Sequence, residues 1–248
     1  MMRHRYFPRI RFGRDKTFWL VVGGVFLLYG IMRLGVVGLL SAVAALLVAI
    51  TVHECAHAWV ADQLGDPTAR LMGRVSLNPL VHLDPMGSVM MAVTMVMGVG
   101  IGWGKPVPVS PHRLRFGQRL GNGIVALAGP VANLLTALVL GLVLRLMPTP
   151  FGGLGGVLTT IALSNIVIAM FNLLPLPPLD GHSVLLGLLS LSKSRVAWQV
   201  SQFILTLRRQ GPMVLIVVII LTQFVGINLI GWLIGPPTRL LFRLIVGA

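Results

Sequence analysis

Long stretches of this chain carry no charge, and that decides the solvent in which it can fold. Residues 17–32, 34–52, 86–103, 120–144, 151–174 and 212–234 contain no Asp, Glu, Lys or Arg. A helix crosses the hydrocarbon core of a bilayer with about 20 apolar residues. Four of these runs reach that length comfortably once 34–52 is continued by the helical pattern of 53–64. The run 17–32 is marginal, and 86–103 is short at 18 residues and holds four glycines. Over all 248 residues only 10% are charged and 56% are hydrophobic, against about 25% charged in soluble domains. That balance excludes an ordinary cytosolic enzyme and a disordered tail. The single cysteine, Cys55, excludes a disulfide-stapled secreted domain. The chain reads as an all-α polytopic membrane protein.

Its net charge of +14 does not call for nucleic acid, because in a membrane protein Lys and Arg set topology and meet anionic lipid. The basic segment Arg3, Arg5, Arg9, Arg11, Arg14 and Lys16 places the N-terminus in the cytoplasm, as an uncleaved anchor. If 86–103 dips into the membrane and returns, 16 of the 20 Lys and Arg lie inside, and Arg33, Arg145, Arg239 and Arg243 lie outside. If it spans, the split is 11 to 9. The charge rule selects the re-entrant reading. Irregular backbone at membrane depth is tolerated only where protein or a wet cavity covers it, so the dip is expected to line a site.

Within the second span stands His53-Glu54-Cys55-Ala56-His57. Helical positions i and i+4 share a face about 6 Å apart, so the two imidazoles can grip one zinc ion with Glu54 beside it to act on a water. Glu54 is the only glutamate in the chain, and ionisable groups at membrane depth are costly enough to imply function. His53 lies eleven residues before Leu64, about 16 Å along a helix, so the site is below the inner surface. A catalytic zinc takes a third protein ligand and keeps an open position. Candidates are Asp62, Asp66, Asp84, Asp180, His82, His112 and His182. Asp62 lies on the same rigid helix and off the His face. Asp66 and Asp84 sit beside prolines, as turn and cap residues do. Asp180 follows a segment that Pro175, Pro177 and Pro178 hold extended, as in a surface loop or a broken helix serving a site. The re-entrant topology brings Asp180 to the same side as His53, and the fully spanning one does not.

These residues resemble the site-2 proteases, the intramembrane zinc metalloproteases. The pentapeptide at 53–57 looks like the family's zinc motif. The stretch 172–181 (NLLPLPPLDG) is similar to its second signature, whose aspartate is the third ligand, which implies Asp180. Between them 65–70 (GDPTAR), 73–79 (GRVSLNP), 82–85 (HLDP), 102–111 (GWGKPVPVSP) and 128–133 (AGPVAN) look like the compact branch without a PDZ insertion. The resemblance implies an active site facing the cytosol and a short β hairpin, for which 68–71 and 74–77 are the expected strands. It implies one zinc held by His53, His57 and Asp180, with Glu54 as the base. Asn133 and Asn172 are candidate oxyanion or substrate-binding amides, or else interhelical glue.

The expected layout is one membrane-embedded domain over 1–248. It has a basic cytoplasmic tail (1–16), a first span (17–33), a zinc-motif helix (34–64), a hairpin and re-entrant region (65–119), core helices with the Asp180 motif (120–182) and C-terminal helices (183–248). That makes about five spanning helices. The expected partners are a transmembrane protein substrate and the bilayer of the plasma (inner) membrane. The alternative function is a zinc transporter or sensor using the same ligands.

Overall fold

The computed structural model describes residues 16–84, 87, 104–146, 152–211, 213, 215, 217–218 and 229–247. Apart from Gly87, the expected re-entrant segment 86–103 lies outside the described residues, as does most of the expected span 212–234. Among the described residues four helices are long and apolar enough to cross a membrane: Leu28–Gln63, Gln118–Leu146, Gly153–Asn172 and Leu229–Val246. The protein is therefore a polytopic membrane protein, and the described residues supply four of the about five expected spanning helices.

The first two expected spans form one helical run, α1 (Lys16–Gln63), broken at Gly35. That glycine has φ 69° and ψ 168°, a combination open to a residue without Cβ. Just before the break, Arg33 Nε donates to the Tyr29 hydroxyl at 3.0 Å. The run stops where the sequence supplies a C′ glycine. Gly65 has φ 101°, and the Asp66 amide reaches back to the Ala61 carbonyl at 2.9 Å, closing a Schellman-type end.

The expected β hairpin at 68–71 and 74–77 is not formed, and no strand occurs among the described residues. Residues Thr68–Leu71 are a helical turn, α2. The sequence carries helix punctuation there. Asp66 Oδ1 accepts from the Thr68 amide at 3.2 Å, and the amides of Leu71 and Met72 bond to the Pro67 and Thr68 carbonyls. Gly73, with φ 70°, terminates the turn as the Arg74 amide returns to Ala69. With these groups satisfied locally, nothing is left to pair across a ladder. Residues 74–77 are held otherwise: the buried Arg74 guanidinium donates to the carbonyls of Val81 and Pro106. One isolated antiparallel bridge, Leu83 with Gly104, is present.

Four further long elements follow, with a short helix after the second. They are α3 (Gln118–Leu146), α4 (Gly152–Asn172), the ten-residue α5 (Asp180–Leu189), α6 (Arg195–Arg208) and α7 (Leu229–Val246). Helix α3 is central, packing on α1, α4, α5 and α7. Small residues permit this closeness. On α1 the i, i+4 series Ala45, Ala49, His53, His57 and Ala61 is buried throughout. On α4, Ala162, Ile166 and Ala169 are fully buried. Where α3 crosses α5, a Cβ on Gly187 would lie 3.2 Å from the Gly123 Cα. Large apolar side chains point outward instead, among them Val37 and Leu40 on α1 and Leu135, Val139 and Leu142 on α3. That arrangement is stable only if lipid is the solvent.

Candidate metal centre

The buried face of α1 becomes polar for one turn. His53 and His57 occupy it with relative exposures of 6% and 7%, their rings perpendicular with centroids 4.6 Å apart. Asp180, the first residue of α5, comes to the same point from the far end of the chain. Its Oδ2 lies 3.0 Å from His53 Nε2 and 3.3 Å from His57 Nε2. The three ligand atoms fall within 4.8 Å of one another.

Hydrogen bonds on the outer edges of both rings decide what these atoms offer. His53 Nδ1 is 2.6 Å from Asn133 Oδ1, and His57 Nδ1 is 2.7 Å from the Val125 carbonyl. Both partners can only accept, because the Asn133 amide nitrogen already donates to the Ala49 carbonyl at 2.9 Å and to Asn165 Oδ1 at 2.8 Å. Each Nδ1 must therefore carry the proton, which leaves a lone pair on Nε2 of each neutral ring. Asp180 Oδ2 is buried and has no hydrogen-bond partner. A carboxylate oxygen and two bare nitrogens facing one point are costly unless a cation sits among them. Ligands about 2.0–2.2 Å from one tetrahedral ion are separated by roughly 3.4 Å, close to the two spacings observed. The site fits a single metal ion.

The wall opposite α1 is α3, and its sequence at 125–133 explains the fit. Pro130 lies inside the helix; without an N–H it cannot bond the Ala126 carbonyl. One residue earlier, the Val125 carbonyl accepts from His57. Gly129 lies directly against the imidazoles: a Cβ there would be 2.5 Å from His57 Nε2 and 2.6 Å from His53 Cε1. Gly181 serves the other side, since a Cβ would sit 2.3 Å from the carbonyls of both Leu173 and Leu174. The chain after α4 can thus fold back and deliver Asp180.

Glu54 is half-buried and lies near the Leu83–Gly104 bridge; a Cβ on Gly104 would be 3.4 Å from its Oε1. The remaining ligand candidates are engaged elsewhere. Asp62 pairs with Arg70 at 2.9 Å. Asp66 accepts from Thr68 and from the Ser110 amide at 2.6 Å, and Asp84 accepts from the Gly87 amide at 2.7 Å. His82 Nε2 lies 2.7 Å from the Ser76 carbonyl, His182 contacts the Leu179 carbonyl and Ser183, and His112 is exposed in the turn Pro111–Arg113. Of the two candidate oxyanion amides, Asn133 has both amide hydrogens occupied. Asn172 donates one, to Ile168 at 3.0 Å within its own helix. Val125 and Asn165 were not among the residues the sequence singled out, and Gly129 stood only within the stretch 128–133 (AGPVAN), with no role of its own. Gly129-Pro130 inside an uncharged run was the signal for Val125 and Gly129, and a second amide besides Asn172 in the uncharged span 151–174 was the signal for Asn165.

Known proteins resemble the chain in sequence. "Putative zinc metalloprotease YwhC" of Bacillus subtilis (strain 168) is 40% identical over 152 residues, 58% of this chain and 66% of that protein. "Putative zinc metalloprotease Rip2" of Mycolicibacterium smegmatis is 33% identical over 145 residues, 58% of this chain and 55% of that protein. The protein of the same name in Mycobacterium tuberculosis (strain ATCC 35801 / TMC 107 / Erdman) is 30% identical over 195 residues, covering 78% of this chain and 70% of its own length. The match spans less than two thirds of the first two relatives. No family model matches the chain, and no solved structure does.

Proposed function

The chain belongs to the same family of zinc metalloproteases as these relatives, and we propose that it is an intramembrane endopeptidase cutting a peptide bond in or near a transmembrane helix of its substrate. The observation that carries the proposal is the convergence of His53 Nε2, His57 Nε2 and Asp180 Oδ2, the two histidines on a helix long and apolar enough to cross a membrane, with Glu54 between them in sequence. Zinc bound there would polarise the scissile carbonyl and lower the pKa of a water. His53, His57 and Asp180 would hold it and leave a fourth position open to solvent or substrate.

Glu54 then acts as general base. Its carboxylate takes a proton from the attacking water and returns it to the departing amine nitrogen. Asn172 is the candidate donor to the developing oxyanion. It is the last residue of α4, two residues before Leu174, whose carbonyl backs Gly181 beside Asp180. The buried α1 face excludes bulk water from the imidazoles. The active-site opening and the N-terminus face the cytoplasm, as the loop charges require.

A zinc transporter or sensor with the same ligands would need a second polar station on a path across the membrane. Asp62, Asp66 and Asp84 are committed to Arg70, Thr68 with Ser110, and Gly87, which favours the protease reading. The test compares membrane proteomes of cells carrying the wild type or Glu54→Gln. The proposal expects a membrane protein that is cut only with the wild type, while the variant keeps its zinc. An unchanged cleavage pattern with Glu54→Gln would overturn it.

A further inference from the structure

We infer that Asn133 is a positioning residue for the metal centre, acting on His53 through the hydrogen bond between their side chains, and that Asn165 serves mainly to brace it. The inference rests on reading the site as a zinc centre. It goes beyond that reading by giving Asn133 one role instead of the two open to it from sequence.

Asn133 is fully buried on α3, and three of its hydrogen-bonding positions are engaged in three directions. Its carbonyl oxygen receives the His53 Nδ1 proton at 2.6 Å. One amide hydrogen goes to the Ala49 carbonyl on α1, one turn before His53, at 2.9 Å. The other goes to Asn165 Oδ1 on α4 at 2.8 Å. Asn165 is fully buried too, and its own amide is tied to the Ile161 carbonyl at 2.9 Å. Each amide in the relay is thereby fixed in one flip state.

Two consequences follow. With both amide hydrogens spent, Asn133 has none left for an oxyanion. And the oxygen that faces His53 cannot rotate away without breaking two further buried bonds. The imidazole is held by a partner anchored to α1 and α4 at once, so its Nε2 lone pair keeps a fixed direction. His57 receives the same service from the Val125 backbone carbonyl. His53 has no such carbonyl, and Asn133 supplies the acceptor in its place. Partners of this kind on metal-bound histidines are worth about 10–100-fold in metal affinity.

The test measures zinc affinity of the purified full chain in detergent by competition with a chromophoric chelator, alongside thermal unfolding. Asn133→Ala is expected to weaken zinc binding about 10–100-fold. Asn165→Ala breaks the α3–α4 bond but leaves the His53 contact, so it should lower the unfolding midpoint while changing affinity less than about threefold. Asn133→Asp keeps an acceptor facing His53, and is expected to retain affinity within about threefold despite reduced stability. It also serves where the alanine variant does not fold. Equal affinity losses in Asn133→Ala and Asn165→Ala would show plain helix adhesion and overturn the inference. So would wild-type affinity in Asn133→Ala, or a collapse with Asn133→Asp. If the wild type itself bound no zinc while remaining folded, the zinc reading would fall first, a result distinct from any of these.

Discussion

At the scale of single residues, the centre depends as much on side chains that are absent as on those present. Gly129 gives the two imidazoles their room, and the 2.5 Å and 2.6 Å approaches of a hypothetical Cβ are too short for a small adjustment. Gly129→Ala is therefore expected to push the rings apart. Metal affinity should fall more than about 100-fold, beyond what loss of an outer hydrogen bond produces. The overpacking itself costs about 1–3 kcal/mol of stability. Chelator competition and thermal unfolding on the same sample separate the two effects. The sequence made the metal side of this site readable, because two histidines at i and i+4 with a glutamate between them carry their chemistry in their spacing. It did not make Gly129 or the Val125 carbonyl readable in the same way. A glycine's role is defined by what stands opposite it, and a backbone carbonyl leaves no letter in the sequence.

At the scale of elements, the clearest difference between expectation and structure is the segment after α1. The residues expected as a hairpin form α2, because Asp66 ahead of Thr68 and Gly73 behind Met72 are helix start and stop signals. The family resemblance weighed more than that local chemistry. Asp66 also joins this turn to Ser110, 44 residues away. Burial pushes its carboxyl group up. The Ser110 and Thr68 amides, the Thr68 hydroxyl and the nearby Arg113 outweigh burial and hold it below its usual value. A lowered folded-state pKa stabilises the protein above the unfolded-state value and is lost as pH falls through the folded one. The wild type is thus expected to lose stability as pH drops below about 3.9. Asp66→Asn should start less stable by about 1–3 kcal/mol and lack that part of the acid dependence. Thermal midpoints in detergent across the acid range test this; parallel curves for the two proteins would contradict it. The kink in α1 was more legible. Arg33 interrupts the apolar run, and Gly35, two residues on, is where the helix breaks.

At the scale of the whole molecule, the uncharged runs foretold the helices at 118–146, 152–172 and in α1. The expected span 212–234 lies mostly outside the described residues, and its last residues belong to a helix that reaches Val246. Residues Leu229–Val246 form a helix although Pro236, Pro237 and two arginines fall within it. What makes this helix viable is tertiary: α7 packs on α3 and α4, and a Cβ on Gly141 of α3 would lie 2.4 Å from the Ile245 side chain. The orientation proposed from charge asymmetry can be tested directly. Reporter fusions after Arg119 and after Lys193 should report cytoplasm, and a fusion after Arg145 the opposite face. An identical result for Arg119 and Arg145 fusions would overturn the orientation.

His53, His57 and Asp180 are placed to hold one metal ion, which the proposed activity requires to be zinc. The most direct measurement is the metal content of the purified protein and its variants after dialysis against trace zinc. One zinc per chain is predicted for the wild type and for Glu54→Gln, with loss of tight binding in His57→Ala and Asp180→Ala. Undiminished zinc in Asp180→Ala would contradict the centre as drawn and move the third ligand to another residue.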